Sequence, residues 1–124
     1  MSITKLFPIS VEDFPAKLEA SALQVSKRMF YIKYTLSEPK LDDAAGSMTF
    51  KVIMNVPRIM SVLRPFSMIG NGDRFCDLEF TFHSADGGTE CCAEAVDWEL
   101  ETWNNRINLN NVVKPLIERV FEKL

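Results

Sequence analysis

The chain has 124 residues, of which 47% are hydrophobic and 25% charged, with a net charge of −3. These proportions fit one globular domain spanning 1–124 and exclude a disordered polymer. Its 14 Lys and Arg residues are scattered, which argues against nucleic-acid binding, and no apolar run reaches the roughly 18 residues of a membrane helix.

Met1-Ser2-Ile3-Thr4-Lys5 lacks the apolar core of a signal peptide. Three cysteines, two of them adjacent at Cys91 and Cys92, form no disulfide framework. With no export signal they fit a reducing, cytoplasmic setting. One histidine and the absence of a Cys-x-x-Cys pair give no metal site. Gly70-Asn71-Gly72 lacks the Lys-Ser/Thr of a phosphate loop, so no cofactor is expected.

Ile3–Ile9 reads as a short strand ended by Pro8. Ser10 to Asp13 resembles a helix cap, and Phe14, Leu18, Ala22, Val25 and Met29 form one apolar stripe. The helix is expected from Asp13 to about Ser26, with Pro15 in its first turn. Met29–Leu36 then alternates as a strand, and Ser37–Gly46 has loop composition. Ser47–Val56 is a clean strand with Met48, Phe50, Val52, Met54 and Val56 on one face. Pro57–Phe66 fits a short helix or an irregular crossing. Ser67–Ile69 fits a short strand before the Gly70–Asp73 turn.

Arg74–Trp103 organises the rest. Cys76, Leu78, Phe80 and Phe82 alternate with Asp77, Glu79, Thr81 and His83, the period of a half-buried strand. After the Asp86-Gly87-Gly88 reversal, Cys92, Glu94, Val96, Trp98 and Leu100 are expected to point inward. That register sets His83 across from Cys91 and Glu94 across from Phe80, whereas a rival register with Phe82 across from Glu90 breaks the His83–Cys91 pair. After a polar turn at Asn104–Arg106, Asn110 or Asn111 caps a final helix to Leu124. Val113, Leu116, Ile117, Val120, Phe121 and Leu124 form its apolar stripe, and Pro115 stands in its first turn.

Strands grouped between two helices predict an α+β fold. The sheet is antiparallel and curved, of about five to six strands, packed on a long C-terminal helix. This order is similar to the START-like or Bet v 1-like helix-grip domains, the SRPBCC type. The likeness rests on the Ile3–Ile9 strand before the Ser10 helix, the Arg74–Trp103 hairpin and the Asn110–Leu124 helix. This chain is shorter than such domains usually are, with one hairpin truncated or replaced around Pro57–Pro65. The resemblance implies a cavity between sheet and final helix that takes a lipid or another apolar small molecule.

Phe50, Met54, Phe80, Trp98 and Phe121 suit an adaptable pocket wall, and equally a filled core. Glu94, inward in this register, touches a ligand, pairs with a basic residue, or is turned outward by a β-bulge. His83 beside Cys91 is the only arrangement with a nucleophile and a base. On a wet face without an orienting third group it gives little basis for catalysis. The acidic stripe of Asp77, Glu79, Asp97, Glu99 and Glu101 is ordinary polar-out patterning. The leading expectation is thus a carrier or sensor of an apolar molecule. The alternative is a non-catalytic interaction or structural module, self-associating as a homodimer through 57–69.

Overall fold

The computed structural model describes residues 1–57 and 71–124. Most of the crossing expected at Pro57–Phe66, the short strand after it and the 57–69 self-association segment lie outside the described residues.

Among the described residues six strands form one curled antiparallel sheet: β1 (Ser2–Phe7), β2 (Ser26–Met29), β3 (Ile32–Asp42), β4 (Ser47–Asn55), β5 (Asp73–Ala85) and β6 (Gly88–Val96). Their order is β1-β6-β5-β4-β3-β2, so the first strand pairs with the last. Helix α1 (Phe14–Ala22) links β1 to β2. A 3₁₀ turn at Glu101–Trp103 leads into the C-terminal helix α2, which runs from Arg106 to Lys123. The sheet curls around α2: Arg119 donates to the Ser26 carbonyl of edge strand β2, and the Phe121 ring meets Phe7 of edge strand β1 at 5.1 Å.

α1 is shorter than its apolar spacing predicts. Pro15 does sit in the first turn, where its missing N–H costs nothing. The helix stops at Ala22 because the chain enters β2 at Ser26. The strand expected over Met29–Leu36 is really two. A two-residue turn at Phe30-Tyr31 joins Met29 to its partner Ile32. Phe30 holds φ 57°, in the left-handed region where a bulky residue costs of order 1–3 kcal/mol.

β3 continues through the expected loop as far as Asp42. Its pairing to β4 shifts between Ser37 and Lys40, where Glu38 takes φ 51° beside Pro39. That is the bulge expected where a proline interrupts the ladder. β4 matches the sequence pattern, with Met48, Phe50, Val52 and Met54 all buried.

The β5–β6 hairpin is present but one residue out of the predicted register. Ala85 pairs with Gly88 across a two-residue Asp86-Gly87 turn, so Phe82 faces Cys91 and Phe80 faces Ala93. A one-residue slip exchanges the two faces of a strand. Cys91 and Ala93 therefore point inward, and Glu94 lies exposed on the outer face, across from Glu79. β6 ends at Val96, and Asp97 at φ 48° turns the chain out of the sheet.

α2 begins several residues before the expected Asn110 or Asn111 cap. The cap is Asn105, whose side chain accepts from the Asn108 N–H at 2.9 Å. Pro115 consequently falls inside the helix rather than in its first turn. Just before it, Leu109–Val113 forms a π turn in which the Lys114 N–H reaches the Leu109 carbonyl. A wider turn accommodates the ring and the donor that proline lacks. Leu116, Ile117, Val120 and Phe121 are buried against the sheet, and each contributes about 1.5–3 kcal/mol of apolar burial.

Candidate ligand-binding site

The concave side of the sheet and the inner stripe of α2 make one apolar interior. Phe50 and Met54 come from β4, Phe80 from β5 and Phe121 from α2, all within one cluster. Phe50 meets Phe80 edge-on at 5.7 Å, and Phe80 meets Phe121 at 6.1 Å. The contacts continue from Phe121 to Phe7 and from Phe7 to Phe14 at 5.6 Å. Such edge-to-face pairs contribute about 0.5–1.5 kcal/mol each beyond area burial. Strict alternation along β4 and β5 brings these rings together, because it gives each strand one apolar face.

Phe50, Met54 and Phe80 are 0% exposed and Phe121 4%. These four side chains are thus closed off, or nearly so, from solvent. Phe121 also borders an open cleft of about 290 Å³ between β1 and α2, lined with Ile3, Thr4, Lys5, Glu118 and Glu122. Phe121 thus belongs both to the core and to the lining of a solvent-facing groove, as does the partly buried Ile3 packed against that core. Lys5 sits over the Phe7 ring at 5.6 Å, on the side of β1 from which the cleft opens.

Of the other two expected pocket residues, Trp98 packs against another part of the same core and Glu94 faces away from it. Trp98 is partly buried and belongs to a second aromatic group around Phe75, at 5.2 Å from that ring. Trp103 and Tyr34 complete the group, at 5.3 and 5.0 Å from Phe75. Phe75 lies five positions before Phe80 on β5, on the order of 17 Å away along the strand. Glu94 is on the opposite face of the sheet and touches neither group. The pointer to its true orientation was the Asp86-Gly87 pair, which as a two-residue turn sets the register by itself. Phe7 and Phe14, which are not among the expected pocket residues, extend the ring series beyond Phe121.

The predicted meeting of His83 with Cys91 does not occur. His83 pairs instead with Glu90, at 3.3 Å on the exposed face, while Cys91 is buried. Burial pushes the Cys91 thiol up to about 12, and burial likewise pushes Cys76 up to about 12. Neither is a thiolate nucleophile near neutral pH. Among the described residues no three His, Cys, Asp or Glu side chains gather as metal ligands do. Among them, too, no helix is long and apolar enough to cross a membrane.

Together these features define a class: an α+β fold in which a curled antiparallel sheet holds a C-terminal helix against its concave face. Protein Ms6760 from Mycobacterium smegmatis is similar over 98% of this chain and 85% of its own, with a TM-score of 0.55 and 13% identity. Protein NE0264 from Nitrosomonas europaea, a structural-genomics target, is similar over 100% of this chain and 92% of its own, with a TM-score of 0.49 and 11% identity. The mycobacterial likeness is one of fold. No protein-family model and no curated protein matches the chain.

Proposed function

We propose that the chain binds a lipid or another apolar small molecule between the sheet and the C-terminal helix, in the manner of START-like helix-grip domains. The observation that carries this reading is the position of Phe121. Its ring lines the β1–α2 cleft and continues into the aromatic interior through Phe80 and Phe50. A ligand entering there exchanges ring contacts for its own, with α2 displaced to make room. The π turn at Leu109–Val113 supports that role, because a widened turn is a ready bending point in a helix. Bound ligands of this kind are held mainly by apolar burial, with few polar contacts. The interior suits that: among the described residues its buried polar ones are Ser21 and Thr89, and Thr89 is already bonded to the Ile9 carbonyl.

Native mass spectrometry of the freshly purified chain tests the reading, followed by titration with a fluorescent fatty acid. A retained apolar molecule, and saturable binding that Phe121→Ala alters, are expected. A bare chain that takes up no fatty acid would overturn it.

A further inference from the structure

The β2–β3 hairpin ends in a turn that the interior does not explain. Phe30 is 88% exposed, and its neighbour Tyr31 is 38% exposed. Phe30 holds φ 57° at the first central position of a two-residue turn, where Gly or Asn is usual. A phenyl ring there meets no core and gains no burial, so its presence points outward, to something off the molecule.

Charge narrows what that is. Residues 20–37 hold Lys27, Arg28 and Lys33 and no acid, within a chain of net charge −3. Arg28 and Lys33 stand directly opposite each other across the hairpin. Among the described residues neither is in an ion pair. Like charges directly across a ladder repel, and an external anion relieves that repulsion. α2 adds to the same end. Its π turn packs on β2 while Arg119 reaches Ser26 at the start of that strand, so the helix runs antiparallel to β2. The first residues of α2, exposed Arg106 and Ile107, then lie toward the tip.

We propose that this tip is a docking point for an anionic lipid surface. Phe30 enters the acyl boundary, Tyr31 sits at headgroup depth, and Arg28 and Lys33 face the lipid phosphates. Aromatic side chains with a basic collar are the composition of interfacial anchors. A lipid surface fits better than an acidic protein. A two-residue tip is far too small for the several hundred square ångströms per partner that a specific protein interface needs, whereas a bilayer accepts a single inserted ring. The inference goes beyond the ligand reading and does not depend on it, because the tip and the Phe121 cleft share no residue.

Vesicle flotation of the full chain tests it, with phosphatidylcholine alone and with phosphatidylcholine plus phosphatidylserine. Binding to the anionic vesicles only, weakened by salt, is expected. Phe30→Gly keeps the backbone shape and removes the ring, so it leaves Tm unchanged or raised while weakening vesicle binding about tenfold. Arg28→Gln and Lys33→Gln each weaken it about fivefold at low salt. Fatty-acid uptake stays as in the parent. No binding to anionic vesicles overturns the proposal, as does undiminished binding by a folded Phe30→Gly. A concentration-dependent dimer that Phe30→Gly abolishes, without vesicle binding, assigns the tip to a second copy and overturns it as well.

Discussion

Gly88 and the carbonyl of Phe7 are packed so closely that a β-carbon at Gly88 would stand 1.9 Å from the Phe7 oxygen. This close approach sets β1 against β6 at the turn end of the hairpin. Gly88→Ala is therefore expected to separate the two strands, with a loss of several kcal/mol. Chemical denaturation checks it. Gly87→Ala meets no neighbour and is strained only by its φ of 83°, so its loss is the smaller of the two.

Beside that contact, the buried Thr89 hydroxyl donates to the Ile9 carbonyl at 2.7 Å. Thr89→Val keeps the shape and leaves a buried carbonyl without its donor, at about 1–3 kcal/mol. Thr89→Ser keeps the hydroxyl and recovers most of that difference. Comparing the two denaturation midpoints separates the hydrogen bond from packing.

Arg74 ties the start of β5 to the chain leaving β6. Its guanidinium donates to Glu99 at 2.9 and 3.1 Å, to Asp77 at 3.1 Å and to the Asp97 carbonyl at 2.6 Å. Those partners hold its pKa up, although burial opposes them. Arg74→Ala is expected to cost only about 1 kcal/mol, because the ion pairs are partly open to water. The clearer readout is tryptophan fluorescence, since Trp98 lies in the segment that Arg74 holds. Arg74→Lys does not restore it, because lysine lacks the fork.

The two buried thiols predict an alkaline weakness. Cys76 and Cys91 are raised from 9.0 to about 12, chiefly by burial. Between those values the unfolded chain has released each proton and the folded chain retains it. Stability therefore falls as pH rises through this window, by up to about 1.4 kcal/mol per pH unit per thiol. Denaturation midpoints from pH 8 upward check the sign. At pH 8 a thiol reagent labels Cys92 first and reaches Cys76 and Cys91 only on unfolding, since both are 0% exposed.

Phe121→Ala removes a ring that contacts both Phe7 and Phe80. A loss of about 3–5 kcal/mol is expected from calorimetry or denaturation. If the β1–α2 cleft takes an apolar ligand, part of that loss returns when a fatty acid is added. The recovery saturates with ligand concentration.

The legible parts of this fold are those where one face is deeply buried. Met48 to Met54, with Ile53 the one exception, and Leu78 to Phe82 alternate large apolar with polar residues, which favours one phase. In β6, Cys91, Cys92, Ala93, Glu94 and Ala95 are small or ambiguous in both phases, and the Asp86-Gly87 turn decided the matter instead. That is why Phe50, Met54, Phe80 and Phe121 share one core while Glu94 lies on the outer face. The β2–β3 turn was illegible because Phe30-Tyr31 carries no turn chemistry. The start of α2 was hidden because Ile107 is 65% exposed and breaks the apolar stripe.

The pairing of Ser2 with Glu94 and of Phe7 with Thr89 has a consequence for how the molecule is made. β1 precedes the other strands of the sheet in the chain, and its pairing partner β6 leaves the ribosome only after them. Until then Phe7 and Phe14 lack their seats and are open to misassociation or chaperone capture. Closure of the sheet is then a late, long-range event, and refolding runs slowly for a chain of this size.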